Sequence, residues 1–86
     1  MQSFLVISAH SGDECSKVLQ DVLATGYLTH FDWGCMDGEH TGWAVIEAES
    51  KREALLVVPP YARGRARVVQ ITKFTPEEVK GIHTTK

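Results

Sequence analysis

His30, Asp32, Cys35, Asp37 and His40 fall within one short stretch, residues 30–40, and each is of a type that can ligate a metal ion. A strand–turn–strand would bring such residues together. Strand alternation, however, puts Cys35 on the opposite face from His30 and Asp32 unless Gly34 marks a bulge. The spacing also matches neither C-x2-C nor H-x3-H, so the favoured reading is a polar hairpin, with no metal site and no cofactor. Cys35 could instead be a nucleophile paired with His10 or His40. Against that stands the usual place of a free cysteine, a small buried hydrophobe in mid-strand. His10 and His40 titrate near neutrality and could serve as general acid or base, although each alone reads as a solvated loop histidine. Arg63, Arg65 and Arg67 form a small basic stripe near Tyr61, suited either to an anionic ligand or to plain edge charge.

The elements that must position these groups follow from hydrophobic period and capping signals. Residues 4–9 form a short apolar run that reads as a buried strand. Ser11 or Asp13 then opens a helix in which Cys15, Val18, Leu19, Val22 and Leu23 share one face, and Gly26 closes it. On that face Cys15 needs no function. Residues 28–36 alternate, with Phe31, Trp33 and Cys35 against His30, Asp32, Gly34 and Met36; an Asp37-Gly38 turn leads to a second arm over residues 41–49. That arm divides into Trp43 and Val45 on one side and Ala44, Ile46 and Ala48 on the other.

A second helix begins at Ser50, with Glu53 as capping partner, and Pro59-Pro60 ends it. Residues 66–73 are the last strand. Thr75-Pro76-Glu77-Glu78 starts a short third helix, near whose end His83 suits the helix dipole, and the final residues are expected to fray. The order is that of a ferredoxin-like α+β fold: βαββαβ, a four-stranded antiparallel sheet with helices on one face, plus a short C-terminal helix.

Composition narrows the function classes. Eighty-six residues suit a single domain spanning residues 1–86, and a formal charge of −2 gives no reason to expect nucleic acid or an anionic membrane. No apolar run reaches the ~20 residues of a membrane span, and the N-terminus lacks the basic and apolar regions of a signal peptide. A cytoplasmic location is expected, with Cys15 and Cys35 as free thiols. There is no P-loop, G-x-G-x-x-G, C-x-x-C or G-x-S-x-G motif.

Helices on one face leave the other face bare. Trp43 and Val45 are expected there, with Trp33, Phe31 and Cys35 nearby, an apolar area larger than a soluble monomer usually exposes. The register of the hairpin decides whether Trp33 and Trp43 share a side. A homodimer or higher homo-oligomer with facing sheets would cover the surface. The architecture resembles the dimeric α+β barrel superfamily. The stretches Trp33-Gly34-Cys35-Met36, His40-Thr41-Gly42-Trp43 and Lys73-Phe74-Thr75-Pro76-Glu77-Glu78 resemble a family of small bacterial proteins of unassigned activity. The resemblance spans nearly the whole chain and implies a fold, not a reaction.

The expected function is an aromatic-lined pocket between facing sheets that takes a small organic ligand. Trp33 and Trp43 would form its wall, Cys35 its side, His10 and His40 its polar contacts, and Arg63 with Tyr61 its rim. The alternative is a non-catalytic interaction module in which the aromatic face is only a subunit interface.

Overall fold

The computed structural model describes residues 1–84. Four strands, β1 (Gln2–Ala9), β2 (Phe31–Trp33), β3 (Thr41–Ala48) and β4 (Ala66–Ile71), form one sheet in the order β2-β3-β1-β4 with every neighbouring pair antiparallel. Three α-helices accompany it: α1 (Cys15–Ala24), α2 (Lys51–Leu55) and α3 (Pro76–Thr84).

Strand β1 sits between β3 and β4, and its burial alternates with a period of two. Phe4, Val6 and Ser8 are buried, and they meet Ile46, Ala44 and Gly42 across β3. Val18 and Val22 of α1, Ala54 of α2, and Val57, Val58 and Ala62 beyond α2 join Phe4, Val6, Phe31, Ala44 and Ala48 in one core. The two helices therefore cover the face that carries the even-numbered residues of β1 and β3. Ala44, Ile46 and Ala48 lie on this side, as their small and apolar character implies.

Local chemistry explains the ends of these elements. Gly26, at φ 85°, follows α1 in the left-handed region, and the Gly26 and Tyr27 amides donate back to the Leu23 and Val22 carbonyls. The Ser50 hydroxyl accepts from the Glu53 amide at the start of α2. Thr75 and Glu78 exchange the reciprocal bonds of a capping box at the start of α3. The expected fraying of the final residues falls on residues 85–86, and the expected dipole role of His83 on its side chain; both lie outside the described residues.

The hairpin departs from expectation. Strand β2 is only Phe31–Trp33, flanked by 3-10 turns at Leu28–His30 and Cys35–Asp37. Trp33 lies opposite Gly42, and Asp32 opposite Trp43. This register places Trp33 on the helix-covered face and Trp43 on the other, so the two tryptophans do not share a wall. Phe31 and Trp33, two residues apart, stack at 5.0 Å between ring centroids. Gly42 makes room for them: a Cβ there would lie 2.7 Å from the Trp33 ring and 3.1 Å from Phe31.

Gly42→Ala should therefore destabilise the fold by about 1–3 kcal/mol through overpacking. Gly64→Ala, where a Cβ would meet nothing within 4 Å, should change stability by less than about 0.5 kcal/mol. Urea denaturation of both variants checks this, and equal effects would contradict the packing at Gly42.

Candidate functional site

The antiparallel ladder between β1 and β3 continues one step past its last pair, Ala9 with Thr41: the His10 amide donates to the His40 carbonyl at 3.0 Å. His10 and His40 thus stand directly across from each other on the helix-covered face, with ring centroids 5.9 Å apart. Beyond Trp33 the pairing with β3 also persists for a step, through the Gly34 amide and the Thr41 carbonyl at 3.0 Å. The 3-10 turn Cys35–Asp37 then begins, closed by Gly38 at φ 82°, a backbone conformation that favours glycine. Cys35 stays on the same side as Phe31 and Trp33 and comes within 3.5 Å of His10, Sγ to Nε2.

The fourth member comes from the helix layer. Cys15 is the first residue of α1 and heads the stripe continued by Val18 and Val22, which are buried against the sheet. A capping box between Ser11 and Glu14 fixes the turn that leads into it. One potential ligand atom from each of His10, Cys15, Cys35 and His40 lies within 4.8 Å of every other.

Most of this cluster is shielded. His10 is 7% exposed, and Cys15, Cys35 and His40 are half-buried. Burial holds the His10 imidazole below its ordinary value of 6.5, and His40 beside it acts in the same direction. Burial, reinforced by the adjoining Cys15 thiol, pushes Cys35 up to about 11. Cys35 is thus held as a neutral thiol and is not the activated thiolate that a nucleophile needs. The Nδ1 atoms of His10 and His40, the Nε1 of Trp33 and, on β1, the Ser8 Oγ are buried with no hydrogen-bond partner among the described residues. Buried orphans of this kind are uncommon, and a site that takes an ion is one setting in which they occur.

The residues expected to act are dispersed differently from the sequence reading. His10, Trp33, Cys35 and His40 converge, with the His10 and Trp33 rings 6.3 Å apart. Trp43 is on the opposite face of the sheet. Tyr61 and Arg63 lie in the 3-10 segment Pro60–Arg65, away from the cluster. Tyr61 donates to Asp21 at 2.6 Å, and Arg63 donates to the Val58 and Leu56 carbonyls at 2.8 and 3.3 Å. Both border a separate cavity of about 290 Å3 beside the end of α1.

Of the hairpin ligand set, only Cys35 and His40 reach the site; His30, Asp32 and Asp37 are exposed. Cys15, whose helical spacing reads as core, joins the site. Its position at the head of the stripe, five residues after His10, was the available signal.

No protein-family model matches the chain, and no curated protein or solved structure matches it significantly. The site must be read from its own atoms.

Glu14 braces the turn that carries Cys15. It accepts from Arg65 at 2.6 and 3.0 Å and from the Ser11 amide at 3.1 Å. These bonds, Arg65 foremost, hold its carboxyl at about 2, below the ordinary 4.5. A folded value below the unfolded one stabilises the fold fully above about 4.5, and this stabilisation is lost as pH falls toward 2. Arg65→Met should therefore raise the Glu14 titration midpoint, read by carboxyl NMR. Its destabilisation relative to wild type should shrink between pH 4.5 and 2; a difference that stays constant over that range would contradict the pairing.

Proposed function

We propose that this domain binds one transition-metal ion where the β1–α1 connection meets the β2–β3 loop. The observation that carries the reading is the convergence of His10, Cys15, Cys35 and His40, two potential ligands from each of two connections, within 4.8 Å. A tetrahedral site with Zn–S near 2.3 Å and Zn–N near 2.0 Å has ligand–ligand edges of about 3.3–3.8 Å. The His10–Cys35 separation of 3.5 Å already falls in that range, and small side-chain rotations close the remainder. A bound cation would also reverse the local electrostatics, favouring the thiolates that burial now opposes.

An ion that binds only the folded chain stabilises it by about 2.7 kcal/mol at a free concentration of 100 Kd. Thermal unfolding of reduced protein should therefore shift upward with stoichiometric zinc. The double variant Cys15→Ser/Cys35→Ser should lose that shift while remaining folded without metal. An equal shift in wild type and double variant would count against these ligands.

The strand order β2-β3-β1-β4, with α1 and α2 on one face, supports a ferredoxin-like reading of the fold and the resemblance to dimeric α+β barrels. The face away from those helices carries Leu5, Ile7, Trp43, Val45, Val69 and Ile71, with Val45 57% exposed. A radius of gyration of 15.6 Å, against about 12 Å for a compact chain of this length, accords with the 50 Å long dimension of the molecule. We infer a homodimer through this apolar face. Any organic ligand held between the sheets would meet Trp43, but not the other six side chains expected to line such a pocket. Sedimentation at micromolar concentration should find a dimer that Val45→Asp converts to monomer; a wild-type monomer would rule the interface out.

A further inference from the structure

The donor atoms narrow the kind of ion, and we infer that the site takes a divalent, thiophilic cation of zinc's class and encloses it with four protein ligands. This rests on the metal-binding reading above. Two sulfurs and two imidazole nitrogens suit zinc and its neighbours, whereas magnesium and calcium require oxygen. Of the four carboxylates within residues 10–15 and 35–40, Glu14 is engaged with Arg65 and Ser11 and Glu39 with the Thr41 hydroxyl at 2.9 Å, while Asp13 and Asp37 are exposed and outside the cluster.

Two thiolates cancel a divalent ion and leave a neutral centre, which suits a shielded pocket containing the buried His10. A monovalent ion would leave a net negative charge there, and the neighbouring cation, Arg65, is already paired with Glu14.

His10 and His40 stand on the sheet, Cys35 follows from the β2–β3 loop, and Cys15 comes from the helix layer packed over them. Donors approaching from two layers favour a tetrahedron over a plane. Four protein donors fill a tetrahedron, so no coordination position is left for water or substrate. The centre therefore holds its ion as a staple or a store and does not activate water. It would join residues 10–15 to residues 35–40, two connections already linked by the hydrogen bond between the His10 amide and the His40 carbonyl and by the His10–Cys35 contact.

The probe is Co2+, added to the reduced full-length protein. The expected spectrum has intense tetrahedral visible bands and thiolate-to-cobalt charge transfer, saturating at about one equivalent. Zinc should bleach it stoichiometrically, while about a hundredfold excess of Mg2+ or Ca2+ should leave it unchanged. Charge transfer should fall in Cys15→Ser and in Cys35→Ser, and His30→Ala should retain the full spectrum. In wild type, one equivalent of zinc should slow alkylation of both cysteines by about tenfold or more, read by mass spectrometry; this readout needs no variant to fold.

Weak octahedral bands, a square-planar Ni2+ complex that zinc cannot displace, or cobalt bound with both thiols still freely alkylated would overturn the assigned class while leaving metal binding intact. Failure to retain Co2+, Zn2+, Ni2+ or Cu+ would overturn the metal-binding reading itself.

Discussion

The register between β1 and β3 is the constraint on which the rest of the molecule depends. Phe4 opposite Ile46, Val6 opposite Ala44 and Ser8 opposite Gly42 fix one face of the sheet as the core side. The same phase, carried one step beyond the last ladder pair, brings His10 and His40 together on that side. A slip of one residue would turn both histidines and the whole apolar set outward. Packing of the core and assembly of the site are consequently the same event. The side chains that bury α1 against the sheet also bring Cys15 over the two imidazoles.

The energetics of the cluster point the same way. Cysteine and histidine tolerate partial burial when neutral, which is where burial drives Cys35, at about 11, and His10, below its ordinary value. The chain can thus fold around the site without an ion, since its core of Phe4, Val6, Val18, Val22 and Val58 is complete on the side that matters. What remains unsatisfied among the described residues is the Ser8 hydroxyl and buried nitrogens on His10, His40 and Trp33. The bracing around the site is polar and peripheral, with Glu14, beside Cys15, tied to Arg65.

Much of the fold was legible because its signals are local. The stripe of Val18 and Val22, the Ser50 cap and Gly26 after α1 each appear in the structure where period and capping chemistry place them. Alternation also grouped Phe31, Trp33 and Cys35 correctly on one side. The relation between hairpin arms was not legible, because it depends on register. Trp33 pairs with Gly42 and not with Trp43, so the side holding Cys35 is the core side and the aromatic wall dissolves. Cys15 was missed for a related reason. A helical stripe reads as core wherever it lies, and only the tertiary arrangement shows that its first residue overhangs two histidines. Tyr61 and Arg63 looked available for a ligand, yet one is bonded to Asp21 and the other to backbone carbonyls.

The most direct measurement of the central claim is X-ray absorption at the zinc edge on protein loaded with one equivalent of the ion. The expected result is a four-coordinate zinc with two sulfurs near 2.3 Å and two imidazole nitrogens near 2.0–2.1 Å. A shell of oxygen and nitrogen alone, or a coordination number of six, would contradict it.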